Sequence, residues 1–227
     1  MQKLLYKSFP INIATIKNSG MEVPKLKYQQ HKDLYEVGEW YKVDSVRAGE
    51  KGFFASEKAF DIINFAEPTG MLALVEVKGN HETLNYKIGP NQYVDIEFWE
   101  SMRIVKKYDW AFRDSTELAL LVAKLVVSNC EPKQEELYAI IPILEKAVES
   151  PTLTNRQEAE KCALKASSIV AKNPTINKVS RAAKTVEFAA QSICGYLVFR
   201  NALNAMLCAG HTYFEDFEKY IHNRIKF

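Results

Sequence analysis

The chain of 227 residues has a hydrophobic fraction of 47%, enough to form a core in one large domain or in two small ones. Its 30 basic and 28 acidic side chains give a formal charge of only +2, which argues against a strongly basic nucleic-acid-binding protein. The most apolar stretch, residues 188–209, is interrupted by polar side chains, so we expect no membrane span. The N-terminal region has no apolar run typical of a signal peptide, and the sequence therefore indicates a cytoplasmic protein.

The first half of the chain is predicted to be rich in strands. Gly38 interrupts an alternating pattern over residues 34–43, which indicates a bent or bulged pair of strands. Gly79 and Asn80 are expected to end the clearest strand of the chain. The other predicted strands share short apolar runs bounded by turn residues. The predicted strands, including the clearest one at residues 71–78, are residues 4–9, 11–16, 25–28, 71–78, 93–99 and 102–108.

Residues 52–66 form the segment around which the first half is organised. Gly52 ends one element, Phe53 and Phe54 can begin a short strand, and Ser56 lies where a helix N-cap is expected. The apolar spacing that follows predicts a short buried helix. Its apolar residues are Ala59, Phe60, Ile62, Ile63 and Phe65.

The second half of the chain is predicted to be entirely helical. Residues 132–149 indicate a helix kinked at Pro142, and residues 176–209 indicate a long helix broken near Gly195 and ended by Gly210. Capping signals predict three further helix starts, at residues 114–117, 154–157 and 212–215. One helix carries a small-residue surface that suits close packing in a bundle or a homodimer, formed by Ala182, Ala183, Ala189, Ala190, Ser192 and Gly195.

The change from strand to helix patterns divides the chain in two. Residues 1–112 are predicted to be a β-rich α+β domain, and residues 113–227 a helical bundle domain. The fold class is therefore α+β, with a small, twisted, mainly antiparallel sheet followed by an all-helical bundle. No metal site is expected, because no Cys/His cluster has the spacing of zinc ligands. The cysteines are predicted to be reduced, mostly buried thiols.

Three motifs in the first half resemble an uncharacterised domain found in bacteriophages and prophages. Members of that family carry a Y-x-V-G-x-x-Y stretch, a G-F-H-A/F-C-E stretch and an A-E-V-E-x-x-G strand in this order. The likeness covers roughly residues 25–108, and it departs from the family at Phe54 and Ser56, where His and Cys are usual. It implies an accessory protein that acts on a host factor or on host defence in the host cytoplasm. The matching runs are residues 35–41, 51–56, 61–65 and 73–79.

The same segments look like the core of the ADP-ribosyltransferases. In that superfamily a strand, a small hydroxyl residue and a helix ending in an aromatic residue pack against nicotinamide. The resemblance implies an ADP-ribosyltransferase-like sheet layout, with NAD or a related nucleotide as the ligand. It places Phe54, Ser56 and Phe65 in the nucleotide cleft, with Lys27 or Tyr28 opposite them.

The resemblance also implies a catalytic position, but with a changed residue. Residues 91–94 are similar to the strand that begins N-E-Y in poly(ADP-ribose) polymerases, where the Glu holds the ribose and stabilises an oxocarbenium-like transition state. Gln92 stands at that place, and an amide can bond a ribose hydroxyl but cannot stabilise positive charge as a carboxylate does. Glu97 and Glu100 are the nearby acids that could substitute for it.

Three functions are compatible with these observations. The first is an ADP-ribosyltransferase-like protein that binds NAD or a related nucleotide. The second is a non-catalytic protein that sequesters a host protein, with the helical bundle as the recognition face. The third is a nucleic-acid-binding module that uses the basic residues of 151–184, and the near-zero net charge argues against it.

Overall fold

A computed structural model describes residues 3–9, 35–65, 71–89, 92–173, 175, 177–195 and 197–226. These residues form a mainly antiparallel sheet followed by helices, so the predicted α+β class is confirmed. The chain divides into two compact units. We call Met1–Trp110 with Glu218–Phe227 the sheet unit, and Ala111–Phe217 the helical unit. The last residues of the chain therefore group with the sheet and not with the helices that precede them.

The described residues of the sheet unit contribute five strands. Neighbouring strands follow the order β1-β4-β5-β2, and β3 pairs with β5 as well. Apolar side chains of every strand except β2 meet in a common core with Tyr35, and the half-buried Tyr41 of β2 packs against it. The strands are β1 Lys3–Phe9, β2 Trp40–Lys42, β3 Phe53–Ala55, β4 Met71–Gly89 and β5 Gln92–Asp109.

β4 and β5 form a hairpin that is longer than the sequence predicts. Gly79 and Asn80 do not end β4, and the predicted break between residues 99 and 102 is absent from β5. Gly79 adopts a φ of 92°, and the strand register shifts between Lys78 and His81. The glycine thus forms a bulge within a continuing strand, a role that sequence punctuation alone does not separate from a strand end.

The remaining strand predictions have mixed outcomes. The strands predicted at residues 4–9 and 53–54 are confirmed as β1 and β3. Of the strand pair predicted at residues 34–43, only β2 joins the sheet, while Gly38 (φ 94°) donates its N–H to the Ile104 carbonyl at 2.9 Å. The strands predicted at 11–16 and 25–28 lie outside the described residues.

A backbone bridge closes the sheet next to β3. The Tyr6 N–H donates to the Ser56 carbonyl at 2.8 Å, and the Ser56 N–H donates to the Tyr6 carbonyl at 3.0 Å. β1 thereby has β4 on one side and the residue after β3 on the other. Since β3 also pairs with β5, the four strands form a ring of hydrogen-bonded neighbours.

The helices follow the predicted pattern with shifted ends. Pro142 lies in the first turn of α4, where a missing N–H is tolerated, and the predicted kinked helix is two helices, α3 and α4. Gly195 (φ 103°) separates α6 from α7, which confirms the predicted break. The helices are α1 Ala59–Phe65, α2 Phe112–Ser128, α3 Glu135–Tyr138, α4 Ile141–Glu149, α5 Leu153–Lys172, α6 Lys178–Cys194, α7 Val198–Ala209 and α8 Phe214–Lys226.

The predicted capping residues are only partly correct. Asp114 accepts the Ala111 N–H at 2.7 Å, but it does so from within α2, whose N-cap is Ala111, so the helix starts earlier than the signal at 114–117 predicts. The cap of α5 is Thr152, whose hydroxyl accepts the Asn155 N–H at 3.2 Å, instead of Thr154. A single turn of 3-10 helix, His211–Tyr213, occupies the cap predicted for α8.

α6 is the central helix of the helical unit. It packs against α2, α5 and α7. Its alanines Ala182, Ala183, Ala189 and Ala190 are all buried, so the small-residue surface serves packing within the bundle. In the described part of the chain, no helix combines the length and apolar character needed to cross a lipid bilayer.

Candidate functional site

The predicted site residue Ser56 belongs to a cluster of polar side chains in the sheet unit. β1 provides Tyr6, the turn after β3 provides Ser56, α1 provides Asp61, and α8 provides Glu218 and His222. We call these five residues the Ser56 cluster. Three regions that are distant in sequence, namely β1, the turn with α1, and α8, meet here because the last residues of the chain belong to the sheet unit.

Ser56 is held by its backbone and its hydroxyl group. Only 3% of the residue is exposed, since both of its backbone polar groups bond to Tyr6. Its Oγ accepts the Lys58 N–H at 3.3 Å and hydrogen-bonds the Asp61 carboxylate. Ser56 therefore orders the turn before α1.

The cap of α1 comes from a residue that the sequence does not single out. The Glu218 carboxylate accepts the N–H groups of Ala59 and Phe60, both at 2.8 Å. The prediction of Ser56 as the N-cap is therefore wrong. A carboxylate suits this place because the first N–H groups of a helix have no partner within it and carry partial positive charge.

Tyr6 and His222 form a contact between β1 and α8. The Tyr6 hydroxyl hydrogen-bonds Nδ1 of His222, and the two rings meet edge to face with centroids 5.9 Å apart. Burial and the negative charge of Glu218 raise the pKa of Tyr6 to about 12. The phenol is thus neutral at physiological pH and can donate to an unprotonated imidazole nitrogen.

The pKa of Asp61 is shifted toward neutrality. Burial raises its pKa to about 6, and the charges of Glu218 and Asp95 act in the same direction. The charge of Lys58 and the hydrogen bond from Ser56 oppose the shift. An acid with this pKa can exchange protons at physiological pH, but Ser56 and Tyr6 beside it are buried. We therefore interpret the cluster as an anchor for the end of α8.

Phe54, predicted to line the nucleotide cleft, is covered from within the sheet unit. It is 6% exposed, and the Lys7 ammonium nitrogen lies 3.3 Å from its ring centroid and 3.2 Å from its carbonyl oxygen. Lys7 itself is fully buried, and this burial lowers the pKa of its amine well below the ordinary value. One face of the Phe54 ring is therefore occupied by a side chain of the protein.

Glu97 and Glu100, the predicted acids, take part in separate ion pairs. Glu97 lies opposite Ala55 in the strand register and accepts from Lys3 at 2.7 Å and from the Trp99 indole at 2.8 Å. Lys3 also pairs with Glu57 at 2.6 Å, so Glu97 lies near the Ser56 turn. Glu100 pairs with Lys42 at 3.0 Å and accepts the Asn80 N–H at 3.1 Å.

The other predicted site residues contribute only their positions. Gln92 begins β5 opposite Gly89, and Phe65 ends α1. Lys27 and Tyr28 lie outside the described residues. Of the predicted nucleotide site, the structure brings together Phe54, Ser56 and Glu97, and each of these side chains is already engaged in contacts within the sheet unit.

The sequence analysis missed Lys7, Asp61, Glu218 and His222. Asp61 carried a signal, since it is the one charged residue in the apolar run of α1. Glu218 and His222 carried a weaker one, because residues four apart share one face of a helix. Lys7 carried no such signal, because the alternation of apolar and polar residues along β1 does not indicate whether Lys7 is buried or exposed.

Burial of Lys7 leads to a testable prediction. Because the pKa of Lys7 is lowered in the folded state, protonation of its amine favours the unfolded chain, and this destabilises the protein until the pH approaches the ordinary pKa of lysine. Lys7→Met should therefore raise the melting temperature at pH 7 by roughly a few degrees, and the gain should shrink by pH 10. The exposed Lys87→Met is the matched control. A lower melting temperature of Lys7→Met at both pH values would show that the bonds of the amine outweigh its burial.

The helical unit has a different surface. Leu153 and Leu164 of α5 are 75% and 69% exposed, and the buried residues of this helix lie on its other side. The basic segment predicted at 151–184 is partly neutralised, since Lys161 pairs with Glu158 at 2.6 Å and Lys184 with Glu187 at 3.0 Å. Among the residues that the structure describes, Leu153 and Leu164 are the two most exposed large apolar side chains.

Comparison of the chain with protein-family models, curated proteins and solved structures finds no match. Among the residues that the structure describes, no group of three or more His, Cys, Asp or Glu side chains could hold a metal ion.

Proposed function

We propose that the protein is a non-catalytic binding protein whose helical unit recognises another protein. The observation that carries this proposal is the exposure of Leu153 and Leu164 on one side of α5. Eleven residues are about three helical turns, so both side chains project to the same side, roughly 16 Å apart. Burial of two such side chains against a partner supplies a hydrophobic driving force that polar helix faces lack.

The sheet unit supports the same choice over nucleotide turnover. Phe54 and Ser56 are buried, and Glu97 and Glu100 are ion-paired, so each of these side chains is already engaged within the sheet unit. Gln92 also stands where the ADP-ribosyltransferase resemblance requires a carboxylate. The resemblance of residues 25–108 to the phage domain supports a bacterial host protein as the partner.

The double substitution Leu153→Ser, Leu164→Ser tests this proposal. Loss of both apolar contacts should weaken capture of a bacterial partner protein by at least about tenfold in a titrated pull-down. The melting temperature should stay close to that of the parent protein, because both side chains are exposed. The control is Leu4→Thr, Val105→Thr, which removes two exposed apolar side chains from the sheet unit.

A nucleotide titration tests the alternative function, an ADP-ribosyltransferase-like nucleotide site. A ligand at 100 times its dissociation constant stabilises the folded state by about 2.7 kcal/mol, a shift that thermal melting detects readily. We expect no shift with NAD or ADP-ribose. A clear shift, together with partner capture that the double substitution leaves unchanged, would return the assignment to an ADP-ribosyltransferase-like nucleotide site.

A further inference from the structure

One cation of the helical unit lies among exposed apolar side chains. The guanidinium carbon of Arg156 is 5.3 Å from the centroid of the Phe112 ring. A Cβ atom placed on Gly195 would lie 3.9 Å from Nη1 of Arg156. The start of α2, the first turns of α5 and the end of α6 therefore meet at this guanidinium.

Leu153 and Leu197 extend the same surface. Leu153 is one helical turn before Arg156 on α5, and Leu197 follows Gly195 by two residues. Leu197 is 61% exposed, and Phe112 is exposed as well. We call Phe112, Leu153, Arg156 and Leu197 the Arg156 patch: three exposed apolar side chains around one positive charge.

Among the described residues, no carboxylate pairs with the Arg156 guanidinium. Its Nε is buried and has no hydrogen-bond acceptor among the residues that the structure describes. Glu158, the nearest acid along α5, is paired with Lys161. The carboxyl end of α6 beside Gly195 supplies only part of a negative charge. Because part of the group is removed from water, its attraction for an incoming carboxylate is stronger than that of a fully solvated arginine.

The backbone at Leu197 directs an apolar side chain outward at a conformational cost. Its φ of 39° is in the left-handed region, which glycine or asparagine adopts more readily than leucine. The Ser192 hydroxyl donates to the Val198 carbonyl at 2.6 Å and so ties the end of α6 to the start of α7. Leu197 is therefore an exposed apolar side chain two residues after the glycine that Arg156 approaches.

From these contacts we infer that the Arg156 patch is the docking surface for a protein segment that carries one carboxylate between apolar side chains. This inference rests on the proposed protein-binding function and names the chemistry of the partner. Carboxylate oxygens match the guanidinium donors, and apolar side chains on either side cover Phe112, Leu153 and Leu197. A nucleic acid fits less well, because a phosphate backbone needs several cations and the patch has one.

Two matched peptides test this chemistry on the full-length protein. Each is a short, fluorescently labelled amphipathic helix with leucines flanking a central position, which is Glu in one peptide and Gln in the other. The parent protein should bind the Glu peptide at least about tenfold more tightly, as expected for a charge-assisted bond. The NMR signal of the Arg156 Nε–H should shift only with the Glu peptide.

Substitutions in the Arg156 patch test whether the peptides bind there. Arg156→Gln should abolish the preference for Glu, and Arg156→Lys should keep part of it, because the charge remains while the planar donor pair is lost. Leu153→Ser should weaken both peptides equally. Leu4→Ser, at an exposed leucine of the sheet unit, should change neither. Circular dichroism melting of each variant controls for folding.

Several results would overturn the inference. Equal binding of both peptides, or a preference that survives in a folded Arg156→Gln variant, would remove the carboxylate from the argument. Concentration-dependent dimerisation in light scattering that Arg156→Gln abolishes would show that the patch binds a second copy of this chain. If a partner protein is captured equally well by the parent, Arg156→Gln and Leu197→Ser proteins, this inference is contradicted but the proposed function is not. If no protein is captured at all, both are contradicted.

Discussion

A chain that ends at Phe217 is expected to lose most of the stability of its sheet unit. The missing residues 218–227 belong to this unit although they end the chain. They include the fully buried Ile221, the Glu218 carboxylate that caps α1, and His222, which bonds Tyr6. The helical unit keeps all of its residues in this shortened chain.

The expected effect is comparable to the total stability of a small domain. Loss of a buried isoleucine side chain costs about 2–5 kcal/mol. Loss of bonds to a charged acceptor costs about 1.5–3 kcal/mol, and the Tyr6–His222 bond adds about 1 kcal/mol. Since domains are stable by about 5–15 kcal/mol, the sheet unit should unfold at far lower urea concentrations or fail to fold.

Tryptophan fluorescence reports on the unfolding of the sheet unit alone. All three tryptophans, Trp40, Trp99 and Trp110, belong to the sheet unit. The urea transition followed by fluorescence should therefore shift to lower concentration, while helix unfolding followed by circular dichroism should retain the transition of the helical unit.

A pair of point variants separates the effect of losing the α1 cap from the effect of removing residues 218–227. Glu218→Ala leaves two N–H groups of α1 without their acceptor, whereas Glu215→Ala removes an exposed carboxylate of the same helix. Glu218→Ala should destabilise the sheet unit by about 1.5–3 kcal/mol and Glu215→Ala by about 0.5 kcal/mol or less. Equal effects of the two substitutions would show that Glu218 is not the cap.

The structure also indicates which parts of the fold are predictable from local sequence. The strand of Phe53 and Phe54 and the helix after it follow from apolar spacing alone. The break at Gly195 follows from a glycine within a helical pattern, because a left-handed residue must end the helix there. Each of these features depends on residues that are neighbours in the chain.

Features that depend on distant partners were not predictable in this way. Gly79 is equally suited to end a strand or to form a bulge, and only the partner β5 decides between these roles. The Ser56 hydroxyl was expected to cap α1, but a carboxylate more than 150 residues later in the chain takes that place. Periodicity shows which face of an element is apolar, but it does not show which polar side chains will meet.

Asp61→Asn is expected to stabilise the protein at neutral pH and to reduce the pH dependence of its stability. The folded-state pKa of Asp61 is raised to about 6, from an ordinary value of 3.8. Its contribution to stability is therefore fully present below about pH 4 and is lost as the pH rises through 6, because the folded state then contains an ionised, half-buried carboxylate near Glu218 and Asp95. The amide resembles the protonated acid in shape and can still accept the Ser56 hydroxyl.

The size and sign of this effect give a sharp test. A shift of about two pKa units corresponds to about 3 kcal/mol, and partial exposure of Asp61 reduces the expected gain to about 1–2 kcal/mol at pH 7.5. Urea unfolding followed by tryptophan fluorescence should show this gain at pH 7.5 and almost none at pH 4. Asp44→Asn, at an exposed aspartate of the same unit, should have no such difference between the two pH values. A gain of the same size at both pH values would mean that packing of the amide, and not removal of a charge beside Glu218, stabilises the anchor of α8.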